Sequence, residues 1–146
     1  QLVASCDLAI SSESAKFATP GVNIGLFCST PMVALTRSIS KKNSMKMLLT
    51  GDMIDATEAK RISLINDYVP NDMLAESVLI LAKKISSKSQ AVLKIGKEAF
   101  YKQSQLSLED AYDFTSKVMT QNMMINDAIE GIDSFLEKRE PDWEDK

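Results

Sequence analysis

Histidine is absent from the 146 residues of this chain. Without an imidazole, the Ser-His-Asp and Cys-His arrangements and the His-Glu-x-x-His zinc motif are excluded within these residues. Cysteine is scarce as well, because Cys6 and Cys28 are the only two and lack Cys-x-x-Cys spacing. Both lie among apolar residues, so we expect buried, reduced thiols in an intracellular compartment. Any chemistry in this segment must use carboxylates, hydroxyls or backbone amides, and no metal site is expected.

Strong charge of one sign and long apolar runs are also missing. The formal net charge is -3 at pH 7 and the pI is near 5.0, so no basic field attracts nucleic acid or an anionic membrane surface. No apolar run reaches the roughly 18 residues of a membrane span. The chain opens without Met or a signal pattern, inside an apolar segment, and we therefore expect a piece of a longer protein.

Short extended segments are predicted at the beginning. Residues 8–10 and 16–18 are predicted strands, and the serine-rich stretch 11–14 between them is a predicted turn. Such strands are too short for a free-standing sheet, so they must pair with other strands. A helix is predicted to begin at Pro31, capped by Ser29 or Thr30, since the N–H that proline lacks would be unpaired in a first turn.

The rest of the chain is predicted to be mostly helical. Asp55, with Glu58 three positions later, has the spacing of a capping box and predicts a short helix that ends near Ser63. Residues 64–69 are a predicted strand. Further helices are predicted over residues 71–87, 91–102, from 107 onward, and 126–139, where Pro141 ends the pattern. Short strands followed by a helical tail indicate an α+β or α/β fold.

Apolar residues recur on one side of the first three of these later helices, which predicts that those sides point inward. The predicted inward residues are Leu74, Val78, Leu81, Ala82 and Ile85 in the first, Val92, Ile95, Ala99 and Phe100 in the second, and Leu108, Ala111, Tyr112, Thr115, Val118, Met119 and Met123 in the third.

Two segments resemble the crotonase (enoyl-CoA hydratase/isomerase) superfamily. Residues 17–25, Phe-Ala-Thr-Pro-Gly-Val-Asn-Ile-Gly, are similar to the family's F-A-x-P-E-x-x-x-G, and residues 48–59 are similar to its (L/F)-T-G-x-x-(I/L)-x-A-x-x-A. The resemblance implies an α/β fold in which ββα turns wind into a spiral, followed by a helical trimerisation region. Residues 1–70 would be the C-terminal part of the spiral and 71–146 the helical region, with the backbone amides of the oxyanion hole upstream of Gln1.

The resemblance also identifies the positions of the two catalytic glutamates, which are Gln1 and Gly21 here. A glutamine amide has no proton-transfer equilibrium near neutral pH, and glycine has no side chain, so hydratase activity is expected to be weak or absent. Two remaining carboxylates near the motifs, Asp7 and Asp52, are expected to be structural. The acyl-pocket residues implied by the resemblance are Pro20, Gly21, Val22 and Phe27.

The C-terminal segment carries a second part of the resemblance. Residues 130–139 are similar to the family ending E-G-x-x-A-F-x-E-K-R, which implies that Phe135 packs near the CoA adenine and Lys138 meets its phosphates. Three positions apart, the two would share a helix face. Met119 falls where relatives carry an aromatic residue of the same pocket. The alternative for this pair is a core phenylalanine beside a solvated lysine.

The predicted function is that of an acyl-CoA-binding protein of fatty-acid metabolism with degenerate catalytic positions. The resemblance implies a mitochondrial location, a homotrimer or hexamer, and no cofactor other than a coenzyme A thioester bound as ligand. Two alternatives remain open. One is an active enoyl-CoA hydratase/isomerase that uses other groups, and the other is a non-catalytic structural or regulatory trimer subunit.

Overall fold

A computed structural model describes residues 1–145 as short helices and strands followed by a helical segment. The chain divides into two units, Gln1–Ile80 and Leu81–Lys146, the second described through Asp145. The boundary between the units falls within a helix. The predicted helical region 71–146 ends on Lys146, which lies outside the described residues.

The first unit combines five helices with four strands and two short 3₁₀ helices. The helices are α1 (Leu2–Ser5), α2 (Ser29–Ser38), α3 (Lys41–Thr50), α4 (Ala56–Arg61) and the start of α5 (Leu74–Ser86). The strands are β1 (Ile10–Ser12), β2 (Lys16–Phe17), β3 (Ile54–Asp55) and β4 (Asp67–Val69), and the 3₁₀ helices are Pro20–Ile24 and Asn71–Met73.

The strands form two separate pairs. β1 runs parallel to β4, with Ile10 opposite Asp67, and β2 runs antiparallel to β3, with Phe17 opposite Ile54. Asn66 fixes the first register, since its side chain accepts from the Ala9 N–H at 2.7 Å and its own N–H donates to the Ala9 carbonyl at 2.8 Å. The predicted strand 8–10 and turn 11–14 were therefore misplaced, because β1 begins at the last residue of that strand and extends into the turn.

The predicted strand 64–69 forms only in its second half. Ser63 has a positive φ of 66°, and the Leu64 and Ile65 N–H groups point to the Ala59 carbonyl, at 2.9 and 3.4 Å. These bonds fold the chain back onto α4, so that extended pairing starts only at Asp67.

Helix boundaries follow local capping. Asp55 caps α4, accepting from the Glu58 N–H at 2.8 Å, as predicted. The Glu58 side chain binds Arg61 instead of completing the capping box. The predicted cap at Ser29 or Thr30 is wrong, because α2 already includes both residues, and the Ser29 hydroxyl donates to the Phe27 carbonyl at 3.3 Å. The chain start is one helical turn, not the predicted extended segment.

The core of the first unit lies between α2, α3, α4 and the loop that follows them. Leu48 and Ala59 are almost completely inaccessible, and Phe17 packs at the edge of the cluster. Cys28 also packs there, but Cys6 is exposed, so the prediction of a buried thiol is wrong for Cys6. The full buried set is Leu35, Ile39, Met47, Leu48, Ala56, Ala59, Ile62, Leu64 and Ile65.

The second unit is helical. After the end of α5 it contains α6 (Gln90–Gln103), α7 (Leu108–Asn122) and α8 (Asn126–Glu137). Ser89 and Ser107 cap α6 and α7 with their hydroxyls. Lys102 of α6 lies over the Phe114 ring of α7, with its nitrogen 4.6 Å from the ring centre. No helix in residues 1–145 is long and apolar enough to cross a membrane.

The apolar faces of the later helices are largely open. Among the described residues of the second unit, the fully buried side chains are polar, namely Ser89, Asp127 and Ser134. The prediction that the apolar stripes point inward is therefore wrong for much of them, because nothing within the described unit covers them. The exposed members of those stripes are Val78, which belongs to the first unit, and Ala82, Ile85, Phe100, Leu108, Tyr112, Met119 and Met123.

Candidate functional site

The first unit contains an open cavity of about 210 Å³ next to the start of the chain. Eight of its eleven lining residues are apolar, and the lining comes from α1, β2, α2 and the core. Gln1, Lys16 and Thr19 are its polar lining residues, and no carboxylate is among the residues that line it. The complete lining is Gln1, Val3, Ala4, Lys16, Phe17, Ala18, Thr19, Pro31, Leu35, Met47 and Leu64.

Gln1 stands at the mouth of this cavity as an exposed residue. Its carbonyl is bound twice by Ser5, through the N–H and the hydroxyl, each at 3.0 Å. These bonds form the single turn of α1 and fix the backbone of Gln1. Its side-chain amide can donate and accept hydrogen bonds, but it has no acid–base equilibrium near neutral pH.

Thr19 was not among the predicted site residues, although it occupies the variable position of the first motif. It is 7% exposed, and its hydroxyl oxygen has no hydrogen-bond partner among the described residues. An unsatisfied buried hydroxyl costs about 1–3 kcal/mol. Only the three-dimensional structure reveals this unsatisfied hydroxyl, because the sequence does not show that Thr19 is buried.

Gly21 lies in a tight loop after β2. Its carbonyl accepts from the Leu26 N–H at 2.9 Å, and its N–H points to the Cys28 sulfur at 3.3 Å. A Cβ atom at this position would lie 2.6 Å from the Leu26 carbonyl oxygen and 2.8 Å from the Cys28 sulfur. No larger residue fits at position 21 unless the loop backbone moves.

The structure brings the two motif segments together at Gly51, the residue that ends α3. Gly51 has φ 67°, and a Cβ atom there would lie 2.9 Å from the Asn23 Oδ1 and 3.0 Å from the Val22 Cγ2. The 3₁₀ helix of the first motif thus packs against the α3 terminus. A glycine at position 51 meets both requirements of this contact, the positive φ and the close approach.

The four predicted acyl-pocket residues lie in or beside this loop. Pro20, Gly21 and Val22 belong to the 3₁₀ helix, and Phe27 precedes α2 with 44% of its surface exposed. None of the four is among the residues that line the 210 Å³ cavity. Their assignment to an acyl pocket stays a prediction.

The carboxylates near the motifs lie elsewhere. Asp52 and Glu58 line a separate cavity of about 20 Å³, large enough for one water molecule. The hydrogen bond from Arg61 holds the pKa of Glu58 below its ordinary value. The Asp52 N–H donates to the Thr50 hydroxyl at 3.2 Å; this is a backbone contact, so the structural role of the Asp52 carboxylate stays a prediction. Asp7 is exposed and does not line the larger cavity.

The predicted nucleotide-binding residues are exposed side chains of the second unit. Phe135 on α8 is 81% exposed, and Met119 on α7 is 61% exposed. Lys138 lies beyond the end of α8 with φ 56° and ψ 41°. The prediction that Phe135 and Lys138 share a helix face is wrong, because the chain has left the helix at Lys138.

The end of α8 is a Schellman-type turn. The Arg139 N–H donates to the Ser134 carbonyl at 3.0 Å, and the Lys138 N–H donates to the Phe135 carbonyl at 3.4 Å. A left-handed conformation costs a residue with a side chain about 1–2 kcal/mol relative to glycine. Lys138 is thus a strained position held by its surroundings.

A bidentate ion pair fixes the segment around Lys138. The Arg139 guanidinium binds both carboxylate oxygens of Glu130, at 2.6 and 2.9 Å, and its Nε lies 2.6 Å from Glu137. Glu130 also accepts from the Asp142 N–H at 2.7 Å. These bonds, the Arg139 contact above all, lower the pKa of Glu130 to about 2, and they raise the pKa of Arg139.

Asp127 anchors the C-terminal residues and was not recognised in the sequence. It is 1% exposed, and its carboxylate accepts from the Ser89 hydroxyl and from the Glu144 and Asp145 N–H groups, the latter two at 2.8 and 3.2 Å. The Ser89 contact, followed by these backbone bonds, holds the pKa of Asp127 below its ordinary value. Its place in the first turn of α8 was the available signal.

The anchored segment borders a second cavity. Trp143 donates its indole N–H to the Ser87 carbonyl at 2.9 Å. It lines an open cavity of about 430 Å³ together with Lys88, Ser89, Val92, Leu93, Asn122, Asp127, Ala128, Gly131 and Ile132.

Comparison with known proteins identifies the family. The family model for enoyl-CoA hydratase/isomerase matches residues 1–146, and the chain belongs to that family. This membership and the similar solved structures described next confirm the predicted crotonase-type α/β fold class.

Individual relatives are similar over nearly the whole chain. It is 50% identical over 143 residues to the mitochondrial enoyl-CoA hydratase domain-containing protein 3 of Mus musculus, covering 98% of this chain and 48% of that protein. The structure of human enoyl coenzyme A hydratase domain-containing protein 3 matches with a TM-score of 0.94 and 48% identity, over 97% of this chain and 56% of that one. An enoyl-CoA hydratase structure from Mycobacterium smegmatis matches with a TM-score of 0.94 and 43% identity, over 97% of this chain and 55% of that one. The chain spans about half the length of the curated relatives it matches.

Proposed function

We propose that the protein binds acyl-CoA thioesters and has weak or absent hydratase and isomerase activity. Family membership supports the thioester ligand. The observation that carries the second part is the 210 Å³ cavity, whose polar lining residues are Gln1, Lys16 and Thr19 and whose lining includes no carboxylate. Hydration needs positioned groups that give and take protons, and neither the Gln1 amide nor the Thr19 hydroxyl does so near neutral pH. Lys16, the ionisable residue of the lining, presents an ammonium that donates hydrogen bonds but accepts none, so it does not replace a carboxylate base.

The loop at Gly21 supports the same proposal. In the alignment with the family motif, this is the position of the second glutamate. A Cβ atom at position 21 would overlap the Leu26 carbonyl oxygen, so the loop is built around the missing side chain. The absence of a carboxylate here therefore depends on the path of the backbone as well as on the identity of residue 21, because this path leaves no room for a side chain.

We assign the nucleotide end of the ligand to the second unit. Phe135 and Met119 are large exposed apolar side chains, which can pack against an adenine ring. Lys138 provides a cation for the phosphates. An exposed aromatic ring and a nearby cation are suited to a nucleotide, since one stacks and the other pairs with negative charge.

We propose further that the helical region, residues 71–146, mediates a homotrimer or a hexamer, while residues 1–70 form the C-terminal part of the family's spiral core. The exposed apolar stripes support an interface, because isolated subunits rarely leave such surface in water. Large exposed residues on α7 and α8 are Leu108, Tyr112, Met119, Ile129, Ile132, Phe135 and Leu136.

The proposed setting is mitochondrial fatty-acid metabolism, with no cofactor beyond the coenzyme A thioester. The name of the Mus musculus relative, which includes the word mitochondrial, supports the location.

Calorimetric titration of the full-length protein with butyryl-CoA, a saturated thioester that cannot be hydrated, tests the ligand. We expect saturable binding that weakens in Phe135→Ala and in Lys138→Gln. The same titration tests the second candidate, a structural trimer subunit, which the open apolar stripes favour. Such a subunit would keep its oligomeric state by light scattering and bind no acyl-CoA, and that result would overturn our proposal.

A further inference from the structure

The turn after α8 places a strained lysine between two residues that bind each other. Lys138 has φ 56°, a conformation that glycine adopts without strain. On either side of it, Arg139 Nε lies 2.6 Å from Glu137 Oε2. Residues held in unfavourable backbone regions are concentrated at functional sites, where the surroundings enforce them. A lysine at this strained position, where glycine would fit without strain, therefore indicates a role for its side chain.

Arg139 occupies both neighbouring carboxylates. It binds Glu130 through two parallel hydrogen bonds of 2.6 and 2.9 Å, and Glu137 through its Nε. The Asp142 N–H completes the coordination of Glu130 at 2.7 Å. Within residues 1–145, Lys138 takes part in no ion pair. Among the described residues, this turn thus contains one lysine that forms no ion pair, next in sequence to an arginine that binds two carboxylates.

We propose that Arg139 is a positioning residue for phosphate binding by Lys138, because it keeps Glu130 and Glu137 from pairing with the lysine. This inference rests on the proposed function, in which Lys138 meets the phosphates of coenzyme A. If Arg139 were neutral, the two released carboxylates would attract the Lys138 ammonium and compete with a phosphate for it. The bidentate geometry suits arginine, since its planar guanidinium matches both carboxylate oxygens at once.

The test compares two ligands that share a thioester and differ in phosphate. Calorimetry on the full-length protein with butyryl-CoA and with S-butyryl-pantetheine, which has no phosphate, separates phosphate recognition from acyl recognition. Arg139→Gln is expected to weaken butyryl-CoA binding about fivefold, which is about 1 kcal/mol on a scale where tenfold is 1.4 kcal/mol. Binding of the pantetheine ester should stay unchanged. Lys94→Gln, which removes an exposed cation elsewhere in the same unit, is the matched control and should change neither affinity.

Two further variants separate this role from a merely structural one. Lys138→Gln should weaken butyryl-CoA binding as much as Arg139→Gln does, and the double variant should lose no more than Lys138→Gln alone. Lys138→Gly should raise the denaturation midpoint, since it relieves the strained backbone, while it weakens butyryl-CoA binding.

Three results would overturn the inference. They are undiminished butyryl-CoA binding by Arg139→Gln, an equal loss for both ligands, and losses in the double variant that add. Failure of the unaltered protein to bind either ligand would instead overturn the proposed function itself, and with it this inference.

Discussion

Substitution of Gly21 tests whether the loop is built around an absent side chain. In Gly21→Ala the new Cβ would lie 2.6 Å from the Leu26 carbonyl oxygen, whereas ordinary carbon–oxygen contacts are about 3.3–3.6 Å. The carbonyl is backbone, and the N–H of the same residue donates to the Gly21 carbonyl at 2.9 Å. The Leu26 carbonyl can move away from the new Cβ only if the hydrogen bond from the Leu26 N–H to the Gly21 carbonyl and the contact from the Gly21 N–H to Cys28 both weaken.

The expected magnitude follows from three contributions. Overpacking costs about 1–3 kcal/mol, and a weakened hydrogen bond costs about 1 kcal/mol. Replacing glycine by alanine returns about 0.4–1 kcal/mol by restricting the unfolded chain. Gly21→Ala should therefore lower the free energy of unfolding by about 2 kcal/mol, and Gly21→Glu should lower it at least as much without creating hydratase activity.

Urea denaturation of the full-length variants measures this directly. Gly96→Ala, at a helical position where a Cβ meets nothing within 4 Å, is the matched control and should stabilise by about 0.5–1 kcal/mol. A Gly21→Ala protein as stable as the unaltered one would refute the reasoning, and so would a Gly21→Glu protein that hydrates crotonyl-CoA efficiently.

Four further perturbations follow from the same contacts. In Gly51→Ala the new Cβ would combine a positive φ with a contact at 2.9 Å, whereas Gly25→Ala has a similar φ of 77° and open space around the Cβ. In urea denaturation, Gly51→Ala should therefore lower the free energy of unfolding by about 1–3 kcal/mol more than Gly25→Ala does. Equal losses for the two variants would contradict the close approach at Gly51. Thr19→Val should not lower the denaturation midpoint, since it removes an unsatisfied hydroxyl, and a clear loss would reveal a bonded partner. Because Glu130 has a pKa of about 2 against its ordinary 4.5, its contribution to stability should be complete above pH 4.5 and lost as the pH falls toward 2; Glu130→Gln should lack that part of the acid dependence. Asp127→Asn should loosen the C-terminal segment and shift the emission of the chain's single tryptophan to the red, and an unchanged spectrum would argue against the anchor.

Most helices could be predicted from the sequence because their signals are local. The Asp55 cap and the apolar spacing each act within one or two turns. Lys138 could not be predicted, since the turn that ends α8 contains no glycine or asparagine to indicate a left-handed residue. Its conformation depends on Arg139 bonding to Glu130 nine positions earlier.

The strands and the burial of the helices depend on distant contacts. β1 takes its register from Asn66, 57 residues away, so alternation within residues 8–14 could not locate it. Periodicity predicted which side of α7 is apolar, but not whether anything covers that side. Met119 and Tyr112 are exposed in the described structure for this reason.

Residues of the candidate site could be predicted where the family motif specifies a residue type, and could not be predicted where the motif allows any residue. Gln1 and Gly21 could be recognised because the family motif assigns a residue type to their positions. Thr19 sits at a variable letter of the same motif, and the burial of its hydroxyl arises from packing. The role of Asp127 could not be predicted, because it depends on residues 144 and 145 lying next to Asp127 in the fold, and no local sequence pattern indicates that contact.

The central claim, a thioester cavity whose lining includes no carboxylate to carry protons, is tested most directly by the hydration of crotonyl-CoA. The full-length protein would be saturated with this ligand, and loss of the conjugated thioester absorbance would be followed. Each general acid or base contributes about 10²–10⁴-fold to rate, so turnover should fall at least about a thousandfold below that of an active hydratase of the family. Turnover within about tenfold of such an enzyme would contradict the account.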